Sequence, residues 1–342
     1  PVRRRKRKIA VVIPKYGLLG GAERFVAEMT ERLARDDRYE VHVVANRWQS
    51  LSDAVVFHKA PILAFPKFLT TTSFAWFVRR TVSRLGVDLI HAHDRIYHAH
   101  IFTLHGIPHR QWVEEVRRKP VPSLYDRATW DVERRLIEDP ACRYLLAVSE
   151  LTREKYLQAY RLDPDRIRVI HPGVDVETFR RPDRRDCRRD VRGRFGIDES
   201  DTVVLFVSMN FDVKGLDALI RATAAARRLH PDRGLKLLVV GKGREGPYRK
   251  LARDLGIGGD VLFAGVAEKN LEKIYRACDI FSILSKFDTF GMTVLEAMAA
   301  GLPVLISDRV GAKDLVRSGI NGFVIGETTD AEAVGSKIGL MM

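Results

Sequence analysis

The sequence predicts an α/β protein of two Rossmann-like domains, and three observations carry that expectation. Short apolar runs alternate with amphipathic stretches along the chain, the pattern of a mainly parallel sheet wrapped by helices. The alternation pauses in an arginine-rich segment and then restarts. At 342 residues the chain also exceeds what one hydrophobic core usually organises, so two domains of roughly 150 to 200 residues are expected.

Taken in order, residues 9–13 read as a buried strand. Gly20-Gly21 then opens a segment with apolar residues at Ala22, Phe25, Val26, Met29 and Leu33, a helical spacing. Further strands are expected at 39–44, 87–90, 101–104, 144–148 and 167–170. After His171-Pro172-Gly173 the pattern resumes with strands at 202–207, 235–240, 261–263, 280–285 and 303–306. The junction falls within residues 171–198, dividing the chain into domains 1–172 and 173–342 expected to face each other across a cleft. Open α/β sheets bind ligands beyond the carboxyl ends of their strands, so that cleft is where chemistry is expected.

Composition narrows the function classes. No stretch approaches the ~20 apolar residues that cross a bilayer. The apolar run after the basic residues 3–8 is too short for a signal peptide and ends in Pro14, which points to a cytoplasmic protein. Cys142, Cys187 and Cys278 lack the spacing of a disulfide framework or zinc site. A net charge of +14 favours anionic partners: nucleic acid, phospholipid or phosphorylated saccharide. Residues 180–194 interleave eight arginines with Asp183, Asp186 and Asp190, and the mixed signs read as a solvated linker face. Nothing resembles a recognition helix or RNA-binding motif, so a nucleic-acid binder rests on charge alone.

The most informative segment runs from Ser285 to Val304, with Asp288, Gly291, Glu296, Gly301 and Pro303 as landmarks. It follows a strand and opens a helix at about Gly291. Unpaired N–H groups and the positive dipole end make such a turn a diphosphate site. Eight helical residues rise ~12 Å, so Asp288 and Glu296 could touch opposite ends of one extended ligand. Carboxylates suit sugar hydroxyls because they accept two hydrogen bonds at once. By spacing alone, Glu296 could equally be a polar residue on an amphipathic helix and Asp288 its cap.

That segment resembles the E-x7-E signature of family 4 glycosyltransferases with the GT-B fold, with Asp288 in place of the first glutamate. Gly20-Gly21-Ala-Glu23-Arg24 resembles the family's N-terminal loop, and His171-Pro-Gly-Val-Asp175 its interdomain junction. The resemblance implies a retaining transferase in which Glu296 holds the ribose, Asp288 the hexose, and Lys214 neutralises the departing diphosphate. It implies that His105, just beyond a strand, contacts the donor sugar. Gly20, Gly21, Asn210, Gly243, Val266, Thr289, Phe290, Gly291, Met292 and Thr293 would complete the donor site. The family's additional arginine before the lysine is missing from residues 208–213. Asn210-Phe-Asp-Val-Lys214-Gly215 is similar to the phosphate segment of the lipopolysaccharide-core glucosyltransferase subgroup. By the same likeness residues 108–137, with Trp112, Tyr125 and Trp130 among Arg110, Arg117, Arg118 and Lys119, form an interfacial element or a charged helix pair with packed aromatics. The implied donor is UDP-glucose or a related sugar nucleotide, with mannosyl or N-acetylglucosaminyl transfer as alternatives. The implied acceptor is a phosphorylated, lipid-linked saccharide at the inner face of an anionic membrane. No cofactor and no essential metal are expected. A C-terminal helix returning to the first domain, usual in the family, is not evident before Met342.

Two motifs compete with this reading. Gly241-Lys-Gly243-Arg-Glu-Gly246 matches a dinucleotide fingerprint, but Asp260 precedes the next strand instead of ending it, which argues against a dehydrogenase. The histidines at 91, 93, 98, 100, 105 and 109 suggest a metal site, yet none occurs after His230 where later strands would have to supply ligands. Asp163-Pro-Asp165 reads as a turn. A phosphorylase of the same fold has no feature in its favour.

Overall fold

The computed structural model describes residues 5–17, 20–267 and 269–342. Two compact units divide the chain, Pro1–Pro172 and Gly173–Met342.

The N-terminal unit is built on seven parallel strands: β1 (Arg7–Val12), β2 (Tyr39–Ala45), β3 (Val55–Lys59), β4 (Leu89–Ala92), β5 (Ile101–Leu104), β6 (Tyr144–Ala147) and β7 (Ile167–Val169). Their order is β3-β2-β1-β4-β5-β6-β7, the doubly wound arrangement, whose direction of growth reverses between β1 and β4. β1 is apolar at every position from Ile9 to Val12 because it is covered on both faces. Ile9 and Val11 belong to one core cluster with Val26 and Val43, whereas Ala10 and Val12 join Phe74, Leu104 and Leu136 in the other. The helices are α1 (Gly21–Ala34), α2 (Leu69–Leu85), α3 (Leu124–Glu138) and α4 (Glu150–Ala159). β3, absent from the sequence reading, is an edge strand with exposed Val56, so its pattern is weak. β1 starts two residues earlier than expected: Arg7 and Lys8 of the basic run pair with Tyr39 and Glu40. Between β5 and α3 lie a short helix, His109–Gln111, and a π-helical turn, Trp112–Val116. Trp112 in that turn and Tyr125 and Trp130 on α3 are half-buried.

The C-terminal unit carries β8 (Thr202–Ser208), β9 (Leu235–Gly241), β10 (Val261–Gly265), β11 (Ile280–Ile283), β12 (Val304–Ser307) and β13 (Gly322–Ile325). They are ordered β10-β9-β8-β11-β12-β13, with the reversal between β8 and β11. Six helices matter here: α5 (Arg184–Phe195), α6 (Leu216–Leu229), α7 (Glu245–Asp254), α8 (Leu271–Ala277), α9 (Met292–Ala299) and α10 (Ala331–Met341).

One expectation is corrected in this unit. Most of the arginine-rich run is helix α5 instead of a solvated linker face, capped by Asp183 and ended by left-handed Gly196. Arg192 is fully buried and bonds Asp279 at 2.7 Å, and the same carboxylate accepts from Arg188 at 2.6 Å and Arg184 at 3.2 Å. Helix α10 packs on α6 in the same unit. Its glycines permit that contact: a Cβ on Gly335 would lie 2.8 Å from the Ala225 Cβ.

Candidate active site

In the C-terminal unit the reversal point is crossed by side chains. Beyond β8 the chain makes a tight turn in which the Ser208 hydroxyl accepts from Asn210 N at 2.8 Å. Asn210 Oδ1 accepts from Val213 N at 3.2 Å. Phe211 is buried edge-on against Phe206 and Tyr248, which anchors the turn. Gly215, at φ +73°, then starts α6 so close to the segment after β11 that a Cβ would sit 2.1 Å from the Leu284 carbonyl oxygen. This approach delivers Lys214 to Asp288, and the two are ion-paired with 23% and 15% of their side chains exposed. Lys286 N also donates to Val213 O at 2.8 Å, tying the two loops together.

Asp288 is fixed by its backbone as well, since Asp288 N donates to Arg309 O at 2.9 Å and Gly311 N donates to Asp288 O at 3.0 Å. Its second carboxylate oxygen accepts from Phe290 N at 3.3 Å. Asp288 therefore does not cap α9; the cap position is Gly291, at φ +91°, with no side-chain cap. Thr289 and the buried Phe290 form the approach to that helix start, and Met292 and Thr293 its first turn. A positive dipole end worth roughly half a charge thus lies beside the lysine. About one turn along α9, Glu296 is buried and accepts from Tyr275 Oη at 2.9 Å. Tyr275, itself fully buried on α8, had no motif to announce it.

The glycine-rich turn after β9 has a packing reason. A Cβ on Gly241 would lie 1.6 Å from the Ser208 carbonyl oxygen, and one on Gly243 2.3 Å from the Phe211 ring. These glycines let β9 press against the turn that carries Asn210 and Lys214. Val266, half-exposed, follows Gly265 at the end of β10.

In the N-terminal unit the crevice beside β1 and β4 is a cavity of about 390 Å³ whose lining includes Pro14, Lys15, Glu23, His93, Arg95 and His105. Gly20 caps α1 and Gly21 opens it at this edge. Leu18 and Leu19 lie outside the described residues, as do Arg3 and Arg4 of the basic run. His105 directly follows β5, as expected. The surprise is its company: His93 Nδ1 lies 2.9 Å from His105 Nε2, and His91 Nε2 lies 2.8 Å from Thr103 Oγ1. Burial lowers the basicity of all three rings, to a pKa of about 4 for His91 and His105 and well below the usual value for His93. The cluster that suggested a metal site is a hydrogen-bonded neutral ladder, and among the described residues no three acidic, thiol or imidazole groups converge as a metal requires. Beneath it Arg95 donates to the buried Glu133 at 2.5 Å.

Residues 19–178 match the family model described as Glycosyltransferase Family 4, and residues 188–342 match that of Glycosyl transferases group 1. With two doubly wound units of this topology, the chain belongs to the group 1 glycosyltransferases of GT-B fold, enzymes that transfer sugars. Among its relatives is an uncharacterized glycosyltransferase of Methanocaldococcus jannaschii, 28% identical over 333 residues, with 92% of this chain and 84% of the relative covered. The D-inositol 3-phosphate glycosyltransferase of Nocardia farcinica is 35% identical over 193 residues, covering 54% of this chain and 42% of that protein. The match therefore spans less than half the length of the latter. Among solved structures, WaaG, a glycosyltransferase involved in lipopolysaccharide biosynthesis, superposes with a TM-score of 0.81 at 21% identity, over 97% of this chain and 90% of that one. Anabaena HepE in complex with UDP and glucose gives 0.70 at 22% identity, over 97% and 90%. At such identities the structures attest the shared fold.

Proposed function

We propose that the chain is a retaining hexosyltransferase that takes a UDP-sugar, UDP-glucose first among the candidates, and glycosylates a phosphorylated or lipid-linked saccharide such as a lipopolysaccharide core. The observation that carries this reading is the Lys214–Asp288 pair across the β8–β11 reversal, beside the uncapped start of α9. A sugar diphosphate asks for a cation and aligned N–H groups at its phosphates and for carboxylates at its hydroxyls. Lys214 and the helix start stabilise the charge that develops on the leaving UDP, Asp288 accepts from hexose hydroxyls, and Glu296 accepts from the ribose. Each carboxylate is held by hydrogen-bond donors, Asp288 by Lys214 and Phe290 N and Glu296 by Tyr275. That arrangement supports their use as hydrogen-bond acceptors and a same-face displacement without a covalent glycosyl-enzyme. In the N-terminal unit, His105 donates to a saccharide hydroxyl in its cavity, while Lys15 adds positive charge for a phosphorylated acceptor.

The named partners of HepE support a UDP-glucose donor, and the name of the Nocardia enzyme supports a phosphorylated acceptor. Neither donor nor acceptor chemistry, in this reading, calls for a metal or a cofactor. Exposed basic residues at the N-terminus add about 1 kcal/mol each near an anionic membrane; cosedimentation with anionic liposomes at low salt tests that part. The donor is tested by calorimetry with UDP, UDP-glucose, UDP-galactose, UDP-N-acetylglucosamine, GDP-mannose and NAD on wild type and Glu296→Ala. Selective binding of one UDP-sugar, lost in the variant, is the expected result. Binding of NAD alone, or of nothing, overturns the reading, and preference for GDP-mannose or UDP-N-acetylglucosamine replaces the hexose named.

A further inference from the structure

The histidine ladder follows from the alternation of two neighbouring parallel strands. β4 ends in His91-Ala-His93 and β5 in Thr103-Leu-His105, with Ala92 in register with Phe102. Residues two apart share a face of the sheet, so His91 and His93 point to the same side, as do Thr103 and His105. The result is two cross-strand pairs, His91 with Thr103 and His93 with His105.

The second pair has only one proton to place between its nitrogens, and the surroundings decide where it goes. His93 is 5% exposed, its Nδ1 faces His105 Nε2 at 2.9 Å, and its Nε2 is buried with no hydrogen-bond partner. Both rings are neutral at physiological pH because burial disfavours the imidazolium. A neutral imidazole carries one N–H. If His105 held its proton on Nε2 and donated, His93 would keep its own on Nε2, leaving an N–H buried without an acceptor. If His93 donates from Nδ1, only a bare lone pair is buried there. Orphaned buried N–H groups are rare and costly, so the second arrangement prevails.

We infer that His93 is a positioning residue: it donates from Nδ1 to His105 Nε2 and thereby fixes His105 as the Nδ1–H tautomer, which makes His105 a hydrogen-bond donor from Nδ1 toward a saccharide hydroxyl. The use of that donor rests on the proposed sugar-binding role of His105; the tautomer does not. A hydrogen bond to one imidazole nitrogen sets which of the two carries the proton.

The test reads the tautomer directly. Long-range proton–nitrogen NMR on uniformly labelled protein at pH 7.5 is expected to show His105 protonated on Nδ1 in the wild type. His93→Asn, whose amide can still donate to Nε2, should retain that form, and His93→Phe should shift it toward Nε2–H. His105 found protonated on Nε2 in the wild type overturns the inference, as does a His105 tautomer unchanged in a folded His93→Phe protein. The wild-type measurement decides even if that variant fails to fold. In turnover, His93→Phe should lower kcat/KM about tenfold, the equivalent of ~1.4 kcal/mol, with UDP affinity unchanged and the Asn variant partly restored. If the tautomer behaves as expected but kcat/KM does not move, the ladder stands and the sugar contact of His105 falls.

Discussion

Lys214 and Asp288 are 74 positions apart, yet they are ion-paired at the point where the C-terminal sheet reverses direction, with Gly215 clearing the way. The pair holds Lys214 in place while both side chains keep some exposure. Lys214→Met should lower kcat by about 10²–10³, the usual effect of removing one charge-stabilising donor. The melting temperature should stay near that of the wild type, since partly exposed ion pairs contribute only about 0–1 kcal/mol. Asp288→Glu, which lengthens the acceptor by one methylene, should change the ratio of turnover among UDP-hexoses more than it changes UDP affinity. Equal losses for every donor would assign Asp288 to holding the lysine alone.

Tyr275 supplies the bond that orients Glu296, through an Oη–Oε2 contact of 2.9 Å in a buried setting. Tyr275→Phe keeps the packing against Phe179 and Phe281 and removes only the donor. It should weaken UDP binding roughly tenfold, in line with ~1.5 kcal/mol for a hydrogen bond to a charged group, whereas Glu296→Gln should weaken it further. Calorimetric titration with UDP and with the bare diphosphate separates the cases: the diphosphate should bind both variants as it binds the wild type.

Much of the site was legible in the sequence, and what was missed has identifiable causes. Lys214, Asp288 and Gly291 lie between strand ends and helix starts, where local signals are strong, and the structure brings these three together, while Glu296 sits within α9. Arg192 was misread because its sign pattern with Asp183, Asp186 and Asp190 is local, while its partner Asp279 is 87 residues away. The edge strands β3 and β13 were missed because their apolar runs are short, Val55-Val56-Phe57 and Phe323-Val324-Ile325. His93 was visible as a histidine but not as a partner of His105; the H-x-H and T-x-H endings of β4 and β5 were the signal, legible once the two strands are known to be neighbours.

Gly215 and Gly241 place the turn that carries Asn210 and Lys214, so their substitution should be costly far beyond the loss of flexibility. A Cβ would meet backbone oxygens at 2.1 Å and 1.6 Å, and both residues have positive φ. Backbone atoms on a paired strand cannot step aside as a side-chain end can. Gly241→Ala should therefore destabilise the C-terminal unit by about 3 kcal/mol or more, above the ~1 kcal/mol centre of point substitutions. Gly246→Ala, where a Cβ meets nothing within 4 Å, should be nearly neutral. Thermal melts of the pair check the contrast, and equal melting temperatures would mean the turn yields.

The histidine ladder makes the stability of the N-terminal unit depend on pH, and the sign can be worked out. In the unfolded chain a histidine takes up its proton near pH 6.5. In the folded unit burial delays that to about pH 4 for His91 and His105, and to well below the usual value for His93. Between those limits the unfolded state binds more protons, so stability is at its full value above pH 6.5 and falls as the pH is lowered. The slope is at most about 1.4 kcal/mol per pH unit for each histidine. His58, His100 and His109 are shifted in the same direction. Denaturant midpoints should be flat from pH 8 to 7 and then decline steadily toward pH 5. His91→Gln, which cannot titrate but can still bond Thr103, should decline less steeply than the wild type over that window. Parallel curves for the two proteins would show that protonation of the ladder does not limit the unit, and that carboxylates alone govern its acid response.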